Sequence, residues 1–171
     1  MGDMLLLQNE INLMPYLIEK AAGRGMKIAL NPSPADEALL KTDLSLIDFI
    51  ILNEIEGNAF TGKTEPEEIC SALLKKYPKL RVVLTLGSRG SVYKDSERLI
   101  HQGIYKVKAV DTTAAGDSFT GFFLALIMNG KSPEAALKAA AQASALAVSK
   151  MGAAASIPTL GEVAAADLTE D

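Results

Sequence analysis

The chain has 171 residues, 49% of them hydrophobic, and a formal net charge of -4; this allows one domain with a sizeable core and argues against nucleic-acid or anionic-membrane partners. The single cysteine, Cys70, rules out an internal disulfide framework, and no apolar run is long enough to span a bilayer. The opening MGDMLLLQNE has neither the basic head nor the cleavage site of a secretory signal, so a soluble cytoplasmic protein is expected.

In chain order, DMLLLQ (3–8) and MKIALN (26–31) are predicted strands, with the amphipathic INLMPYLIEKAAGRG between them closing on Gly23 and Gly25. LIDFIILN (46–53) is a third strand, EPEEICSALLKKY a helix, and LRVVLTLG (80–87) a fourth strand. Near-continuous apolar strands separated by helices predict a mostly parallel sheet covered on both faces, an α/β fold. After Gly87 the segments SVYKDS, RLIHQG and IYKVKAV are short, alternating and turn-bounded, the pattern of an antiparallel edge. A helix from about Gly116 to Met128 stops at Asn129-Gly130, and another begins at Ser132-Pro133 and runs alanine-rich toward Lys150. Alanine at that density permits close approach of a helix or of a flat ligand, and tight helix packing is the expected use.

Residues 57–64, GNAFTGKT, match the phosphate-binding pattern G-x-x-x-x-G-K-[ST] letter for letter. Their surroundings argue otherwise. Glu54 and Glu56 lie between the strand end and Gly57, where they would repel a polyanion. Thr64-Glu65-Pro66-Glu67 has the spacing of a capping box that would engage the Thr64 hydroxyl, and the next strand ends without a magnesium-binding aspartate. The octet is therefore expected to be a turn and helix start in a helix-turn-helix connection.

A better anion site lies at DTTAAGDSFTG (111–121), between a predicted edge strand and an apolar helix. Small residues at Ala114, Ala115 and Gly116 let consecutive amides converge on an anion at a positive helix end. Asp117 in the first turn could take a proton from a hydroxyl attacking the same phosphorus. Equally, Asp117 could be an ordinary first-turn acid and Gly116 an ordinary loop glycine.

DTTAAGDSFTG closely resembles the C-terminal signature of the ribokinase-like (PfkB) carbohydrate kinase family, and NPSPA (31–35), NEIE (53–56) and TLGSRG (85–90) agree with it in order. The likeness extends over nearly the whole chain and is nearest to the ribokinase branch. It implies transfer of the ATP γ-phosphoryl group to a sugar hydroxyl, with Asp117 as general base and the amides of Ala114, Ala115 and Gly116 as the anion hole. It implies that Asn53 and Glu56 position phosphate and Mg2+, Glu56 through water; the same pair could also be a helix cap with its partner. Thr85, Leu86, Gly87, Ser88, Arg89 and Gly90 would line the nucleotide, or simply make a tight turn, and Ala141 matches a position where an adenine-side Asn is frequent. Asp111 and Thr113 match one half of a monovalent-cation loop and Ala147, Lys150, Gly152 and Ser156 the other, implying K+ as activator, unless GAAASIP is only a helix exit. Glu10 matches a glutamate on the sugar side.

The family's N-terminal sugar-binding part and lid have no counterpart here, so the expected unit is a single C-terminal catalytic domain, residues 1–171. It is expected to be weak or inactive alone, and to self-associate or need the other half along an open apolar sheet edge. The alternatives are a degenerate nucleotide-binding or interaction module and, less favoured, a P-loop hydrolase using Lys63.

Overall fold

The computed structural model describes residues 2–171. The chain folds into two compact units, Met1–Gly87 with Ser91–Ile100, and Ser88–Gly90 with His101–Asp171.

The first unit is built on parallel strands β1 (Met4–Gln8), β2 (Lys27–Asn31), β3 (Phe49–Asn53) and β4 (Arg81–Thr85), followed by β5 (Ser91–Lys94), antiparallel to β4. With β6 (Leu99–Gln102), along which the chain passes from one unit to the other, the sheet order is β1-β2-β3-β4-β5-β6. The apolar runs explain the parallel part: four of the five residues of β3 are buried, as in an interior strand covered on both faces. Helix α1 (Met14–Ala22) buries Met14, Ile18 and Ala21, one helical face, and α4 (Pro66–Lys76) buries Ile69, Cys70 and Leu73. These side chains join Leu7, Ile28, Leu30, Ile50, Leu52, Val82 and Leu84 in one core. The short α2 (Glu37–Leu40) is capped by Asp36, whose carboxylate accepts the Leu39 N–H at 2.7 Å.

The octet GNAFTGKT is not a phosphate loop. Gly57 to Thr61 form the second half of helix α3 (Glu54–Thr61), and Gly62, at φ 68°, ends that helix in the left-handed conformation. Gly57 is buried, and a Cβ there would lie 2.8 Å from the Ile69 side chain, so its glycine serves helix packing. Lys63 faces Glu68 at 3.7 Å. Two details differ from the sequence expectation. The octet is a helix end and turn rather than a turn and helix start, and the Thr64 capping box does not form. Proline favours the first helical position, so Pro66 makes Glu65 the N-cap of α4 and leaves Thr64 outside the helix.

The second unit holds α5 (Ala115–Met128), α6 (Pro133–Val148) and α7 (Leu160–Ala165). Helices α5 and α6 pack together, α5 burying Phe119 and Phe123 and α6 burying Ala136, Ala140, Ala143 and Ala147 along one stripe. Most of the alanine richness is therefore helix packing. The expected strand IYKVKAV is reduced to an isolated antiparallel bridge between Tyr105 and Glu170. Its partners are remote in sequence: Lys106 N–H donates to Thr169 O, Asp171 N–H to Ile104 O, and Val110 N–H to Val148 O. An alternating pattern reports extended backbone but not which segment pairs with it.

Candidate functional site

In the first unit the candidate residues gather at the carboxyl ends of β3 and β4, the end where open α/β sheets bind ligands. Asn53 and Thr85 are register partners on these strands, and the Thr85 hydroxyl donates to Leu52 O at 3.3 Å. Asn53 caps α3: its Oδ1 accepts the Glu56 N–H at 3.0 Å, while Glu56 Oε2 accepts the Asn53 N–H at 3.0 Å. Glu56 is only 5% exposed, so the box fixes a carboxylate at the strand end within a largely dry setting. Leu86 is half-buried and Gly87, at φ 58°, is open to solvent. Glu10 lies exposed in the turn after β1; its neighbour Asn9 donates from Nδ2 to Pro34 O at 2.7 Å, tying the loop after β1 to the loop after β2. Sequence reading passed over Asn9, although a polar residue just beyond a parallel strand's carboxyl end was the available signal.

In the second unit, Ser88 and Arg89 are exposed in a tight turn, and Gly90 (φ 86°) lies where any Cβ would meet the Gln102 carbonyl. That glycine is required by close backbone approach within the protein itself.

The loop before α5 carries the residues expected to form the anion hole. Ala114 adopts φ 62°, ψ 7°, a left-handed conformation costly for alanine, and its carbonyl accepts the Ser118 N–H at 2.9 Å. Ala115 donates a long 3.3 Å bond to Thr112 O, and a Cβ on Gly116 would meet nothing within 4 Å. The first-turn amides of a 14-residue helix have no intrahelical partner and carry the positive end of its dipole. Asp117 is exposed in that same turn. Next to it Ser118, 2% exposed, has no hydrogen-bond partner for its hydroxyl among the described residues; nothing in the sequence pattern marked it.

Of the six proposed cation-loop residues, the structure joins Asp111, Thr113 and Gly152. Asp111 Oδ1 accepts the Thr113 hydroxyl at 2.6 Å and the Thr113 N–H at 2.9 Å, and Oδ2 accepts the Gly152 N–H at 3.0 Å. The Thr113 hydroxyl, then the Thr113 and Gly152 amides, hold the Asp111 carboxyl below its ordinary range. Lys150 N–H donates to Ala147 O, and its ammonium pairs with Glu162 at 3.0 Å. Ser156 is fully buried with its hydroxyl on Ala153 O at 2.7 Å. No group of three or more His, Cys, Asp or Glu able to hold a metal exists among the described residues. Ala141 lies in α6, half-buried, outside the packed alanine stripe. No helix among the described residues is long and apolar enough to cross a membrane.

The profile of the pfkB family carbohydrate kinases matches residues 15–160. The ribokinase of Lactococcus lactis is 38% identical over 96% of this chain and 53% of its own length, and that of Staphylococcus aureus 37% identical over 95% and 55%. Among solved structures, Arabidopsis thaliana ribokinase complexed with ribose and ATP superposes with a TM-score of 0.81 at 34% identity, over 94% of this chain and 54% of that one. The chain thus spans about half the length of the curated relatives it matches.

Proposed function

Because the chain belongs to the pfkB family of carbohydrate kinases, we propose that it carries the nucleotide-binding and catalytic part of an ATP-dependent sugar kinase of the ribokinase kind, with ribose as the substrate favoured by its relatives' names. The reading rests on the start of α5, where an exposed carboxylate shares the first helical turn with Ala115 and Gly116 after the left-handed Ala114. Asp117 accepts the proton as the sugar O–H bond breaks; the sugar oxygen bonds to the γ-phosphorus, and the β–γ bridging oxygen leaves with ADP. The amides of Ala114, Ala115 and Gly116 stabilise charge on the transferring group. Asn53 and Glu56 orient the phosphates, the turn from Thr85 to Gly90 lines the nucleotide with Ala141 toward its base, and Glu10 orients the sugar. Mg2+, near Glu56 through water, and K+, in the loop of Asp111, Thr113, Ala147, Lys150, Gly152 and Ser156, would supply charge neutralisation.

Turnover is assigned to the assembled enzyme, because catalysis by positioning needs both reactants held and the chain spans about half of its relatives. The alternative is a degenerate nucleotide-binding or interaction module without turnover. The test is Mg-ATP-dependent sugar phosphorylation by this chain with the family's remaining portion, comparing Asp117→Asn with Lys63→Ala. Asp117→Asn is expected to lower kcat by about 100- to 10,000-fold with nucleotide affinity retained, and Lys63→Ala to change neither. Turnover surviving Asp117→Asn overturns Asp117 as the general base, and nucleotide binding without turnover in the wild-type assembly overturns the kinase assignment in favour of the module.

A further inference from the structure

We infer that Glu170 is a positioning residue for the Ser88–Gly90 turn, holding it through Gln102 and the Gln102–Gly103 backbone. That this turn lines a nucleotide rests on the function proposed above; the packing that holds the turn does not. All the groups involved belong to the second unit, in which Ser88–Gly90 lies with His101–Asp171. The turn approaches the rest of that unit most closely at Gly90, where a Cβ would strike the Gln102 carbonyl oxygen and lie 3.1 Å from the Gly103 carbonyl carbon. At the next residue after Gln102 the same situation recurs. A Cβ on Gly103 would strike the Asp171 carbonyl oxygen and lie 3.5 Å from Glu170 Oε1. The Gln102–Gly103 backbone thus touches the turn at one glycine and residues 170–171 at another, and a side chain at either would force the segments apart.

Glu170 fixes the level of this backbone. Gln102 is 8% exposed, and its Nε2 donates to Glu170 Oε1 at 2.5 Å and, over a long 3.4 Å, to Gly103 O. Glu170 Oε2 accepts the hydroxyl of Tyr105, also buried, at 3.2 Å. One carboxylate therefore serves two buried donors that flank Gly103, through bonds strengthened by its charge. Its own segment is tied to the same stretch of chain, since Asp171 N–H donates to Ile104 O at 2.9 Å and Lys106 N–H to Thr169 O at 3.3 Å. Without the carboxylate the Gln102 amide keeps only its long bond among the described residues, in a nearly dry setting, and the backbone beneath Gly90 gains by moving toward water. The Lys106–Asp171 ion pair in the same segment is exposed at both ends and contributes little.

Backbone order parameters from NMR relaxation of the full chain, with Mg-ATP titrated by calorimetry, test this. In the wild type Ser88, Arg89 and Gly90 are expected near about 0.85, and in Glu170→Ala Arg89 and Gly90 should fall below about 0.6 while Phe123 and Leu137 stay unchanged. Mg-ATP should bind Glu170→Ala about three- to tenfold more weakly, because the turn must then be ordered on binding. Glu170→Gln, which keeps an acceptor oxygen, should recover most of both losses. Gly103→Ala displaces residue 171 without touching the carboxylate and should loosen the turn in the same way, whereas Lys106→Ala should change neither quantity. A turn as ordered in Glu170→Ala and Gly103→Ala as in the wild type, order lost equally at Phe123 and Leu137, or equal loosening in Lys106→Ala would each overturn the inference. Loosening of the turn at unaltered Mg-ATP affinity, or in a chain whose wild type binds no Mg-ATP, upholds the positioning and counts against the nucleotide reading of the turn.

Discussion

Asn53 and Glu56 cap each other, each accepting the other's backbone N–H at 3.0 Å where β3 turns into α3. Replacing Glu56 by alanine removes one arm of this box and is expected to cost about 1 kcal/mol in urea unfolding. Glu56→Gln keeps an acceptor at the same place and should cost less, while weakening the magnesium dependence of nucleotide binding. Equal stability of all three proteins would show that the box contributes nothing.

Gly57 marks the difference between a sequence pattern and its structural use. A Cβ there lies 2.8 Å from Ile69 and 3.3 Å from Leu84, both buried. Gly57→Val is expected to destabilise by about 1–3 kcal/mol through overpacking, with nucleotide affinity unaltered in the fraction that folds. A selective loss of nucleotide binding at unchanged stability would restore the phosphate-loop reading.

At Ala114 the left-handed backbone strains a residue with a Cβ. Ala114→Gly relieves that strain at the expense of greater freedom in the unfolded chain, so the net gain should be roughly 0.5–1 kcal/mol. Chemical denaturation checks it; a loss of stability would mean that the loop is not strained.

The Tyr105 phenol is pushed up to about 12 by burial and by the Glu170 carboxylate, which also accepts its hydrogen bond at 3.2 Å. The folded state thus holds this proton after an unfolded phenol, near about 10, has released it. Its contribution is whole below pH 10 and is lost as pH rises toward 12. Wild type should therefore lose more stability than Tyr105→Phe between pH 9.5 and about 11.5, measured by urea unfolding; parallel curves would refute the coupling.

What the sequence made legible was local. The apolar runs of β2, β3 and β4 were legible because burial on both faces needs no partner to be recognised. The Asn53–Glu56 box follows from a three-residue spacing, whereas Thr64 with Glu67 has the same spacing and fails because Pro66 sets the helix frame one residue later. IYKVKAV was misread as a full strand because its partners at Thr169 and Asp171 are some sixty residues away. The turn of Asp117 was visible in its small residues, yet neither the strain at Ala114 nor the buried hydroxyl of Ser118 leaves a trace in spacing.

The Asp111 carboxylate joins Gly152 across 41 residues, and Val148 O takes the amides of Val110 and Asp111. The chain between these contacts contains all of α5 and α6. The helix pair is thereby cinched at its base like a drawstring purse: neither helix can fray at the Asp117 end or at the Val148 end without loosening the other. Opening at the Asp117 end and opening at the Val148 end then belong to a single equilibrium, so ordering either one steadies both.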